Sequence, residues 1–175
     1  MTTSSNDRAT ALRRAFDAAF AEPLVEPLAP PTAVVRVALG ELEIGVRLVD
    51  IASIVRVETL LPVPSRRRDL LGVAALRGAM VPVFSLESLL DLARHDAATT
   101  FLLVARSRPT VAFGCTNVVG ILDVPLAALV ESGAVHAPQL CVSPDGATLP
   151  IVSVASLLGA IHSDLASSFS LESRA

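Results

Sequence analysis

His136 and Cys141 stand five positions apart, an imidazole and a thiol close enough in the chain for a base to activate a nucleophile. Asp91, His95 and Asp96 bring two carboxylates near a second imidazole. A working nucleophile–base pair also needs a group that orients the base and donors that hold the developing oxyanion. Neither cluster has such a companion, so Asp91, His95 and Asp96 read as a polar loop after a helix. Cys115 and Cys141 form no CxxC, and His95, His136 and His162 form no HExxH. The thiols therefore read as small buried hydrophobes, and no metal is expected. All fourteen basic residues are arginine. Without lysine the chain is no P-loop NTPase, protein kinase, Schiff-base enzyme or pyridoxal enzyme, because each needs that ammonium. The residues point to a protein that is not an enzyme and carries no cofactor.

The remaining signals concern folding and contact. The 175 residues suit one compact domain or two small ones, and a 52% hydrophobic content at 18% charge excludes a mainly disordered chain. No apolar run approaches the roughly 18 residues of a membrane span. The opening MTTSSNDRAT lacks the apolar stretch of a signal peptide. A soluble cytoplasmic protein without membrane insertion is expected. The net charge of −3 argues against nucleic acid or an anionic membrane as partner. Arg66–Arg68 read as a solvated loop, with attraction to an acidic partner as the alternative.

Residues 1–32 form a separate segment. Leu12, Phe16 and Phe20 share one face of a short helix capped near Ser5–Asp7, and Pro23, Pro27, Pro30 and Pro31 make a stiff linker. From Ala33 onward short strands dominate. Val34–Leu39 and Leu42–Arg47 flank a Gly40-Glu41 turn, Ser53–Val57 follows, and Leu70–Leu76 and Ala79–Phe84 break at Arg77-Gly78. Ser85 caps a helix running to Leu92. The second half repeats the order: strands over 101–105, 110–114 and 118–123, a turn after Pro125, strands over 140–142 and 147–152, and a helix from Ser153 to Ile161. A polar tail, 163–175, closes the chain.

The repeat is explicit. GAMVPVFSLESLL over 78–90 and GATLPIVSVASLL over 146–158 agree at seven of thirteen positions, 68 residues apart. Each proline must sit at an edge or bulge, since it cannot donate to a ladder. Five short strands close best into a barrel, which removes exposed edges. The expected fold is mainly β, with two pseudo-duplicated five-stranded barrels, one over about 33–98 and one over about 99–162, and short helices.

These residues carry a resemblance. Leu71–Phe84 (LGVAALRGAMVPVF), Leu39–Val46 (LGELEIGV) and Ile51–Ile54 (IASI) resemble the central motif, opening hairpin and following segment of CheW-like domains. The resemblance covers about 33–162 and implies two SH3-like barrels. It also implies a non-enzymatic adaptor that joins a chemoreceptor's cytoplasmic tip to the regulatory domain of a CheA-type histidine kinase. On the receptor side it implicates Leu48, Ile51 and Ile54, together with Leu76, Arg77 and Gly78. The first three have two readings, closing the barrel or lining a groove for a receptor's helix pair. On the second barrel it implicates Thr116, Asn117 and Val118.

The chain departs from the family pattern at four polar positions. Ala75 replaces an asparagine, Ser53 a glutamate, Ser85 an aspartate and Thr116 an aspartate. Ser85 still caps a helix, but Ser53 leaves Arg77 without its carboxylate, free to meet one on a partner or to remain solvated. A divergent paralogue that binds only receptor or only kinase is the alternative within the class. Residues 99–162 carry five charges in 64 positions, against roughly 25% in an average chain, so apolar contact surface is expected on the second barrel. From another class, a nucleic-acid-binding small barrel would need a basic face and stacking aromatics. Six Phe with no Tyr or Trp supply that poorly.

Overall fold

The computed structural model of the protein describes residues 30–93, 98–142 and 146–172, the last nine as backbone only. The expected helix over 5–20, most of the proline linker, His95, Asp96 and the turn at Ser143–Asp145 lie outside the described residues. Eleven strands and two α-helices are described. β1 (Thr32–Leu39) and β2 (Leu42–Arg47) form a hairpin, a 3-10 turn (Leu48–Asp50) leads to β3 (Ile51–Arg56), and β4 (Leu70–Leu76) pairs with β5 (Ala79–Ser85) before α1 (Leu86–Leu89). Then come β6 (Phe101–Ala105), β7 (Ala112–Cys115), β8 (Asn117–Val124), β9 (Leu129–Glu131), β10 (Gln139–Val142), β11 (Thr148–Val152) and α2 (Val154–Glu172).

The chain is mainly β, and the strands make two mixed sheets that correspond to two SH3-like barrels. One has the order β3-β6-β7-β5-β4, the other β8-β1-β2-β11-β10-β9. The two-fold relation between them is visible residue by residue. Leu61 bridges Val73, and 68 residues later Leu129 pairs with Cys141. Phe84 lies parallel to Phe113, as Val152 lies parallel to Val46.

The sheets do not divide the chain at residue 98. The hairpin β1-β2 sits among strands of the second half, and β6-β7 sits among strands of the first. The reason is burial. Ile44, Gly45 and Val46 of β2 and all four residues of β7 are buried, so each strand needs a neighbour on both edges. A parallel neighbour requires a crossover, and exchange of the two hairpins provides it. The links that carry the chain between sheets are the three residues 48–50 and the single residue Thr116.

The largest core lies between the sheets, where Val35, Val37, Ile44, Val46, Ile51, Phe84, Leu103 and Phe113 meet the buried faces of both helices. A smaller cluster fills each barrel, around Ala74, Val83 and Leu102 in one and around Val34, Val124 and Ile151 in the other. α2 presents Val154, Leu157 and Ile161 to the main core, an i, i+3, i+7 stripe. It continues as helix to Glu172, where the composition suggested a polar tail.

The arginine loop also departs from expectation. Arg66 and Arg68 are exposed, but Arg67 turns inward with its side chain only 14% exposed. It donates to both carboxylate oxygens of Asp69 (3.0 and 2.5 Å) and to the Ile161 carbonyl (2.8 Å) and lies over the Phe84 ring. A planar guanidinium satisfies an acid, a carbonyl and a ring face together, which makes this burial tolerable.

Candidate protein-interaction surfaces

β3 and β4 are the two edges of the five-stranded sheet, and a groove of about 620 Å³ opens between them. Its floor is the barrel core, Ala74, Val81, Leu102 and Val104. Small residues line it on three strands: Ala52 and Ser53 of β3, Ala75 of β4 and Ala79 of β5. Arg56, Glu58 and Arg77 are its charged lining residues. Volume and apolar lining match the clefts that proteins use to bind other molecules.

Arg77 and Gly78 are the two residues between the paired Leu76 and Ala79, with φ of 50° and 81°. Positive φ at both central positions is the type I′ hairpin turn, whose twist suits the flanking strands. Arg77 holds a conformation that costs a non-glycine residue about 1–2 kcal/mol. It is exposed, and among the described residues it has no hydrogen bond or ion pair. Ser53 lines the same groove and offers no carboxylate.

The other receptor-side candidates sit elsewhere. Ile51 is 4% exposed and belongs to the core between the sheets, and Leu48 and Ile54 pack half-buried against that core. Of the two roles left open by their spacing, Ile51 takes the closing one. The exposed residue of this turn is Val49, which the spacing argument overlooked. Arg106 holds the turn: its backbone N–H donates to Asp50 O (2.8 Å) and its guanidinium to Val49 O (3.1 Å) and Ile51 O (3.2 Å). That role is invisible in sequence, because the partners are carbonyls more than fifty residues away.

Thr116 pins the crossing from β7 to β8. Its hydroxyl donates to Ala38 O (2.8 Å) and accepts from Gly40 N (3.3 Å). Val118 packs half-buried on the main core, while Asn117 is exposed and accepts the Val118 N–H on its own side-chain oxygen (2.9 Å). Around them the expected apolar surface is present. Val119, Ile121, Leu126 and Val130 are exposed within a dozen residues of the second barrel.

A smaller apolar groove of about 300 Å³ lies among Leu42, Ile44, Leu90, Val135, His136 and Val152. There His136 Nδ1 meets the Ser156 hydroxyl at 3.0 Å, and that hydroxyl donates to Val135 O, so the ring nitrogen is the donor between the two. The serine is thus tied down rather than activated. Cys141 lies in the core of the second barrel, and Cys115 is buried with its thiol pushed up to about 12 by desolvation. Neither is poised as a nucleophile. Among the described residues no cluster of His, Cys, Asp or Glu could hold a metal, and no helix is long and apolar enough to cross a membrane.

Two interleaved barrels with an open apolar groove and exposed apolar strands define a binding module. The family model of the CheW-like domain matches residues 33–162, and the chain belongs to that family. The family is one of non-enzymatic scaffold domains in chemotaxis signalling. Among solved structures, the chain is similar to the scaffolding protein TtCheW from Thermoanaerobacter tengcongensis. That match has 14% identity and a TM-score of 0.64, covering 71% of this chain and 90% of that one. No curated protein matches the chain.

Proposed function

We propose that the protein is a cytoplasmic adaptor that couples the cytoplasmic tip of a chemoreceptor to the regulatory domain of a CheA-type histidine kinase. The observation that carries this reading is the pairing of family membership with two contact surfaces on separate barrels. One is the groove lined by Leu76 and Arg77, with Gly78 in the adjoining turn; the other is the apolar face beside Thr116, Asn117 and Val118. An adaptor of this kind works by differential binding: it holds both partners, and a change in one biases the equilibrium of the other. The unpartnered Arg77 supports a partner that presents a carboxylate at the groove. An exposed pair of that kind contributes at most about 1 kcal/mol, enough to influence partner choice and too little to determine the fold.

The missing carboxylate at Ser53 favours a second, narrower reading, in which only receptor or only kinase is bound and array assembly is modulated. Binding of the folded protein to receptor and kinase fragments, measured separately, distinguishes the two. Capture of both supports the coupling adaptor, capture of one supports the narrower role, and failure of both rejects the proposal.

A further inference from the structure

We propose that the connection between β3 and β4 is a rigid basic epitope, and that its Arg66 and Arg68 bind an acidic segment of a partner protein. Residues 57–69 form no strand, yet they are fixed at both ends and in the middle. The Val57 N–H donates to Thr100 O (2.9 Å). Leu61 exchanges two backbone hydrogen bonds with Val73, each of 2.9 Å. Gly72 permits that approach, since a Cβ there would lie 2.3 Å from Leu61 O. Pro62 and Pro64 follow, exposed and with φ locked by their rings. At the far end Asp69 O accepts the Ser85 N–H (2.8 Å), and Arg67 grips Asp69, the Ile161 carbonyl and the Phe84 ring.

Arg67 thereby sorts the arginine run. It takes up the carboxylate of Asp69, the nearest acid in sequence, and leaves Arg66 and Arg68 exposed on either side of it. Neither of the two has a hydrogen bond or ion pair among the described residues. The imbalance extends along the chain: residues 51–85 hold five arginines against Glu58 and Asp69, although the net charge of the whole is −3. Such a region attracts carboxylates, and backbone that is already ordered loses little freedom on binding. Leu61 and Val63 are exposed in the same connection, at 49% and 42%, and offer apolar contact as well. A segment that mixes acidic with aliphatic residues therefore fits better than a uniformly charged one.

This contact goes beyond the adaptor reading: residues 60–69 lie outside the groove lining, and the test needs neither receptor nor kinase. Fluorescence anisotropy of a short labelled peptide of glutamate, leucine and alanine, titrated with the full chain, reads it directly. Binding should saturate below about 100 µM protein. Replacing the peptide's glutamates with glutamine should weaken it at least about tenfold, as should Arg66→Glu combined with Arg68→Glu, with the circular dichroism spectrum unchanged. Rigidity has its own test. Arg67→Lys keeps the charge and removes the fork, while Pro62→Ala combined with Pro64→Ala loosens the loop at exposed positions. Each should weaken binding about threefold, and full affinity in both would overturn the role of rigidity. Three results overturn the epitope itself: no binding up to about 100 µM, affinity indifferent to reversal of Arg66 and Arg68, or tighter binding through those arginines to a single-stranded oligonucleotide or to anionic lipid vesicles.

Discussion

Arg77 pays for its place in the hairpin with an unfavourable backbone, since its φ of 50° is a region glycine occupies freely. Strain of this sort persists where a side chain is needed, and among the described residues Arg77 has no hydrogen bond or ion pair to explain it. Arg77→Gly should therefore leave the protein as stable or up to about 1 kcal/mol more stable. The same change should weaken binding of a carboxylate-bearing partner severalfold. Urea denaturation and a titration with the partner fragment measure the two effects, and an unchanged affinity would reduce Arg77 to an ordinary turn residue. Cys115 makes a prediction of the opposite kind. Its thiol rises from 9.0 to about 12 on burial. Between those values the unfolded chain loses the proton while the folded chain keeps it, so stability falls as pH rises through that window and is insensitive to this group below it. Thiol labelling at pH 8 should be negligible until denaturant is added, and Cys115→Ala should flatten the alkaline loss.

Among the elements, the caps and turns are the best-conceived part of the local code. Ser85 Oγ accepts the Ser88 N–H at 3.2 Å, and its repeat equivalent Ser153 accepts the Ser156 N–H at 3.3 Å. Replacing either serine with alanine should cost about 1 kcal/mol, readable as a fall in the denaturation midpoint. These serines and the Gly40 and Gly78 turns were legible because each acts on backbone within three or four residues. The strand prolines were not: Pro82 and Pro150 lie on β5 and β11, inside their sheets rather than at an edge, and each stands one residue before the parallel pairing begins at Val83 and Ile151. The extent of α2 was not legible, since a run rich in Ser and Ala has no strong stop signal before its end. Nor was the inward turn of Arg67, whose surroundings include Phe84 and Ile161, both distant in sequence. At the candidate site, the strand pattern put Arg77 and Gly78 at a hairpin end, but the groove beside them was not legible, since it is formed with residues of β3 and β6 distant in sequence. The same reasoning could not separate Ile51, which is buried, from Val49, which is exposed, because a three-residue 3-10 turn breaks the period on which burial is read.

For the whole molecule, the exchange of hairpins is the decisive fact. Duplication shows that two units exist, but copies with similar strands make self-pairing and exchanged pairing nearly equivalent in local chemistry. The short links at 48–50 and Thr116 and the two-sided burial of β2 and β7 settle the choice. Each sheet therefore needs strands from both halves of the chain. Fragments 31–98 and 99–175, prepared separately, should each show little folded structure, and mixing them should restore the β spectrum. A half that folds alone would contradict the interleaved topology.

The same interleaving governs how the protein is made. Gly45 of β2 lies parallel to Ile151, so the central strand of the second barrel waits for its neighbour until residue 151 has left the ribosome. Until then the nascent chain holds an apolar hairpin with one open flank, and contacts so remote in sequence close slowly. Synthesis of this protein should accordingly be more sensitive to chaperone supply than its modest length suggests.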